Sequence, residues 1–195
     1  MLTRVTENSP GQITEQAALR ALSHPTRWAI VDLLGLERTA TATRCAEVTG
    51  ESVASCSYHL GMLAKYGLVE QAEGGQGREK PWKLTSSRQS WSLDDMDTEG
   101  ALAVETLTEV YIDHHAARMK DHVRRSSREA PEWRRNAGSF ATTTYLSAAE
   151  MAELAAEFQT IVARYQDRIE DPSLRPEGSR PVRMLLTAWL PRPPA

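Results

Sequence analysis

Apolar residues in the first third of the chain recur at helical spacing. Ile13, Ala17 and Ala21 stand four apart, which predicts a short amphipathic helix over residues 13–22. "SHPTRWAIVDLLG" follows, with Pro25 suited to a first helical turn, where its missing N–H costs nothing. Ser23 or His24 is the expected cap, Ile30, Leu33 and Leu34 form an inward face, and Gly35 is the expected stop. "TATRCAEVTG" predicts a third helix ending at Gly50. "ESVASCSYHLGMLAKYG" predicts a fourth, capped by Ser52 and stopped by Gly67.

Beyond Gly67 the period shortens. Leu68–Gln71 and Pro81–Leu84 read as two short strands, separated by the turn Gly74-Gly75-Gln76-Gly77-Arg78 with a basic residue at its tip. Two short helices followed by a glycine-rich hairpin is the order of a winged helix-turn-helix.

The second half begins with a polar, acidic linker, "SSRQSWSLDDMDTEG". A long helix is predicted from Ala101 to about Arg128, with two apolar stripes: Leu107, Val110, Tyr111, His114 and Ala117, and Ile112, His115, Met119 and Val123. Two stripes are more than one neighbour needs, so one is assigned to the winged domain and the other to a second subunit. "SFATTTYL" (residues 139–146) is rich in β-branched residues and reads as a strand. "SAAE" at Ser147–Glu150 is a capping box opening a helix through Ile169, and "VRMLLTAWLP" (residues 182–191) reads as a buried final strand. The expected fold class is mainly α with a small β component. A winged helix-turn-helix domain (residues 12–90) precedes a C-terminal dimerisation and effector region (residues 91–195) containing a strand-helix-strand subdomain. Trp133, Phe140, Tyr145, Phe158, Tyr165 and Trp189 are candidates for a core or for an effector pocket there.

Composition changes this picture in one respect. The net charge of −3 argues against nucleic acid until it is divided. Residues 1–91 hold ten Lys/Arg and nine Asp/Glu, and residues 92–195 hold thirteen and seventeen. The acidity therefore belongs to the C-terminal half, and the N-terminal half is nearly neutral. No apolar run approaches the ~20 residues of a membrane span. Two cysteines without a paired framework and an N-terminus without an apolar core suggest a cytoplasmic protein.

The run Ser57-Tyr58-His59 invites a catalytic reading. On a helix these side chains diverge by about 100° per step, whereas a nucleophile and its base must lie within hydrogen-bond reach. No G-x-S-x-G elbow is present either. An enzyme is not expected. Projection instead places Val53, Cys56, Leu60, Leu63 and Ala64 inward and Ser55, Tyr58, Met62 and Lys65 outward, with His59 flanking the outer arc and Ser57 the inner one.

"ALSHPTRWAIVDLL", "SYHLGMLAKYGLVEQ" and "GREKPWKL" together resemble the ArsR/SmtB-type winged helix-turn-helix transcriptional regulators, over about residues 12–85. The similarity is to the members with an extended C-terminal segment and no metal site. It implies a homodimer acting as a repressor on an inverted-repeat operator in double-stranded DNA. The fourth helix would enter the major groove and the wing would lie near the backbone. Carried over by position, Ser52, Ser55, Ser57, Tyr58, His59 and Arg78 become candidate DNA contacts. Lys65 joins them as a phosphate-neutralising cation. Where the family often places a glutamine and a small polar residue, this chain has Val53 and Ala54.

No cofactor or metal is expected. Cys45 and Cys56 are eleven apart, without Cys-x-Cys or Cys-x-x-Cys spacing. Asp113 and His115 resemble half of a metal site that some relatives build. Ser126 stands where that pattern wants a histidine, although Glu129 follows in place. His115 and His122 lie about 10 Å apart along a helix and cannot share an ion alone. The alternative function is a winged-helix module that binds a protein or a small molecule without reading DNA.

Overall fold

A computed structural model describes residues 12–74, 80–87, 89–91 and 96–191. The chain divides into two compact units, Met1–Asn136 and Ala137–Ala195.

The first unit starts with α1 (Gln16–Leu22) and α2 (Pro25–Glu37). His24 caps α2, its Nδ1 accepting from the Thr26 amide at 3.2 Å, and Pro25 occupies the first turn. Gly35 does not stop α2, which continues to Glu37 because Leu34 remains buried and Leu36 extends the turn. The stop is instead Arg38, which adopts a positive φ of 68°.

The helices α3 (Ala42–Thr49) and α4 (Val53–Lys65) form the helix-turn-helix. Thr41 caps α3 and Gly50 ends it in the left-handed region at φ 75°. Ser52 Oγ accepts from the Ser55 amide at 3.1 Å and so starts α4. At its end Gly67 N–H donates to Ala64 O and Leu68 N–H to Leu63 O, both at 3.0 Å, with Gly67 at φ 67°. This pair of bonds is the Schellman stop that glycine permits.

The wing is β1 (Val69–Gln71) paired antiparallel with β2 (Trp82–Leu84), in register Val69↔Leu84, Glu70↔Lys83 and Gln71↔Trp82. Ala40 adds a further antiparallel bridge to Trp82, binding the sheet to the segment before α3. The turn residues 75–79 lie outside the described residues.

The long helix α5 (Thr98–Arg125), capped by Asp97 through the Gly100 amide, belongs to this first unit and not to a separate C-terminal region. The compact unit thus continues past residue 91, to Asn136. The reason is packing: Ala103, Val104 and Leu107 are buried in one cluster with Leu19, Leu22, Ile30, Leu34, Cys56, Leu60 and Leu63. A short 3-10 turn, Ser126–Arg128, and α6 (Pro131–Asn136) complete the unit.

The second unit contains α7 (Ala148–Ala163), α8 (Asp167–Glu170) and a 3-10 turn at Pro172–Leu174. The capping box forms: Ser147 N–H donates to Glu150 Oε2 at 2.7 Å, and the Glu150 amide to Ser147 Oγ at 3.3 Å. Those bonds to Ser147 hold the Glu150 carboxyl below its ordinary pKa. The strand-helix-strand subdomain does not form. Residues 139–146 and 182–191 form no ladder, and none of them is buried. β-propensity expresses packing against a neighbouring strand, and neither segment has one among the described residues. The aromatic residues do not assemble a core here. Phe140 is 89% exposed and Trp189 75%.

Candidate nucleic-acid interface

The position of α4 follows from its buried face. Cys56, Leu60 and Leu63 have no exposed surface and lock one side of the helix onto α1, α2 and α3. The opposite side is turned outward by elimination. Ser57 is exposed and Tyr58 is 61% exposed. Ser52 and Lys65 are exposed at the two ends, and Ser55 and Met62 are half-buried. Val53, expected inward, is exposed, because the first turn of α4 projects past the core. With Ala54 it makes the leading edge of the helix apolar and small. Lys65 places its Nζ 5.3 Å from the centre of the Tyr66 ring.

His59 does not stand on this outward face. It is buried, 7% exposed, beneath Tyr58. Its ring lies 4.7 Å from His24 and 5.6 Å from Tyr58, edge-on to the latter. Arg27 Nε donates to His59 Nδ1 at 3.3 Å. Burial, reinforced by the neighbouring His24 and Arg27 charges, pushes the imidazole pKa below its ordinary value. His59 is thus a neutral platform that supports Tyr58. A helical projection places it near the rim because it cannot see the first turn of α2 folding over it. Arg78 lies outside the described residues.

The surrounding charge is largely paired. Arg44 of α3 reaches Glu37 at 2.6 Å and Glu47 at 2.9 Å, which holds the Glu37 carboxyl low and the guanidinium firmly charged. Lys83 of the wing meets Glu70 across the ladder at 3.1 Å. Such exposed pairs contribute little stability, but they lower the net positive field near α4.

Cys45 and Cys56 are both fully buried thiols, and burial raises the Cys45 pKa to about 11, with Cys56 adding to the rise. That suppresses the reactive thiolate. Asp113 is exposed and His115 is buried, so the structure does not bring the expected half-site together. His115 joins His114 and Asp32 of α2 instead. No spacing rule could have selected Asp32, which is 82 residues from His114. Its one signal was being a carboxylate inside the apolar run Ile30–Leu34.

With the geometry in place, similarity to known proteins adds to it. Residues 22–72, from the end of α1 to the end of β1, match a helix-turn-helix domain family. No curated protein matches the chain. Among solved structures, it is similar to reduced HlyU from Vibrio cholerae at 22% identity, with 49% of this chain and 85% of that one covered and a TM-score of 0.31. It is also similar to a mutant form of ZitR from Lactococcus lactis at 18% identity, covering 72% and 73%, with a TM-score of 0.32. No helix among the described residues is long and apolar enough to cross a membrane. A matched helix-turn-helix whose second helix faces outward, followed by an antiparallel wing, marks a DNA-binding transcription regulator.

Proposed function

We propose that the chain is a homodimeric ArsR/SmtB-type transcriptional repressor, cytoplasmic, that reads an inverted-repeat operator. The observation that supports this best is the split of α4 into a fully buried face and an exposed one carrying Ser57 and Tyr58. In this reading α4 enters the major groove. Ser52, Ser55 and Ser57 donate hydroxyl protons to phosphates or base edges near the helix start. Tyr58 donates to a phosphate or lies against a thymine methyl. Lys65 and Arg78 neutralise backbone charge. His59 holds Tyr58 from beneath and meets DNA only through it.

Dimerisation is assigned to α5. Leu102, Ile112, Met119 and Val123 leave an apolar stripe 50% or more exposed along that helix. Pairing two copies through it would set the spacing of their α4 helices. An effector acts here by changing that spacing, through differential affinity for the two arrangements.

The test is a mobility shift of the purified chain on its own promoter DNA against a scrambled duplex, at several salt concentrations. A sequence-preferring shift that weakens steeply with salt is expected. No such shift would leave the second reading, a winged module for a protein or small-molecule partner. The pairing of Arg44 with Glu37 and of Lys83 with Glu70 favours that alternative.

A further inference from the structure

We propose that Asp32, His114 and His115 form a binding site for one divalent transition-metal ion of the zinc, cobalt and nickel class. Their candidate ligand atoms all lie within 4.8 Å of one another. Asp32 comes from α2 and the two histidines from adjacent positions of α5, so the site spans the joint between these helices. His114 Nε2 is 2.7 Å from Asp32 Oδ2. Asp32 is 7% exposed and His115 4%. Buried carboxylates and imidazoles are uncommon and costly unless they are paired or coordinate a metal. Asp32 and His115 are buried and His114 is half-buried, so three ligand-type side chains meet inside one helical joint.

The donor set selects the ion. Two imidazole nitrogens and one carboxylate oxygen suit zinc, cobalt or nickel, whereas calcium and magnesium prefer oxygen alone. Donors about 2.1 Å from a tetrahedral ion stand about 3.4 Å apart. The present separations, 2.7 Å for His114 and Asp32 and no more than 4.8 Å for the others, bracket that spacing. Three protein ligands leave a fourth position for water. Trp28 walls the site, its ring 6.4 Å from His114 and 6.0 Å from His115. Its indole Nε1 is buried without a hydrogen-bond partner among the described residues. A polar orphan beside three ligand-type side chains fits a site completed by an ion and its water.

Metal binding is read on the protein alone, so its outcome does not depend on whether the chain binds DNA. Full-length chain, stripped with chelator, is titrated with cobalt(II) and followed by visible d–d absorption. One cobalt per chain is expected, without a thiolate charge-transfer band, and zinc(II) should displace it. Asp32→Asn and His115→Gln keep the side-chain size and should each weaken binding at least about 100-fold. His122→Gln should leave it unchanged. Far-UV circular dichroism checks folding, and if one of the two variants does not fold, the other decides. Absence of a stoichiometric cobalt spectrum in the wild-type chain overturns the proposal. So does wild-type affinity in whichever of Asp32→Asn and His115→Gln is folded.

Discussion

Arg27 and His59 join the first turn of α2 to the middle of α4 through a 3.3 Å hydrogen bond from Nε to Nδ1. The bond requires an unprotonated Nδ1, so the fold favours neutral imidazole. Burial and the nearby His24 and Arg27 act in the same direction and lower the His59 pKa. A depressed histidine pKa adds stability that is complete above the unfolded value of about 6.5 and is lost as pH falls through the lower folded value. Acidification from pH 7.5 towards 5 should therefore destabilise the winged unit. His59→Gln should flatten that dependence. Urea unfolding of both proteins across this range checks the difference in slope. Equal slopes would mean that His59 is not a titrating support.

Ser52 carries two assignments that separate by mutation. As cap of α4 its Oγ accepts from the Ser55 amide. Ser52→Ala should cost about 1 kcal/mol of stability. Ser52→Asp can keep the cap and suits the positive helix start, but it brings a negative charge to the face proposed for phosphate. The aspartate variant should melt near the wild-type temperature and lose affinity for promoter DNA about tenfold or more. Thermal unfolding paired with a mobility shift reads both effects. Unchanged affinity in a stably folded Ser52→Asp would remove the start of α4 from the interface.

Tyr58 is the outward residue whose loss should be cleanest. It is largely solvent-exposed, and its recorded ring contact is with His59 below it. Tyr58→Ala should change the unfolding midpoint little, since surface substitutions usually fall within about 0.5 kcal/mol. Affinity for promoter DNA should fall by about 1–3 kcal/mol if the phenol meets a base or phosphate. Arg78→Ala should weaken binding more uniformly across sequences and reduce the salt slope by about 1. Fluorescence anisotropy at several salt concentrations distinguishes the two.

How much of this was legible in the sequence depends on range. Local chemistry read well. His24 and Pro25 start α2, Ser52 starts α4, Gly67 ends it, and the Ser147–Glu150 box forms as spaced. Each of these needs only neighbours within a few residues. Readings that depended on remote partners fared differently. His59 looked marginal on a projection because the covering groups, His24 and Arg27, belong to another helix. Asp32 was invisible beside His114 for the same reason. The segments at 139–146 and 182–191 have strand composition, but a strand exists only through its pairing. Composition cannot supply that partner.

The apolar residues of α5 divide between two sides of the helix. Leu107 has no exposed surface and sits in the core with the helices of the winged domain. Leu107→Ala should cost about 2–5 kcal/mol and unfold the winged unit along with α5. On the other side, Ile112 is 50% exposed and Met119 51%. Ile112→Glu places a charge on that apolar stripe and leaves the core untouched. If two copies pair there, the variant should sediment as a monomer while keeping the wild-type helical content. Its promoter affinity should fall sharply, because a single α4 reads one half-site and loses the advantage of linked binding. Sedimentation velocity with circular dichroism separates the outcomes. A monomeric wild type, or a variant that stays dimeric, would move the dimer contact away from this stripe.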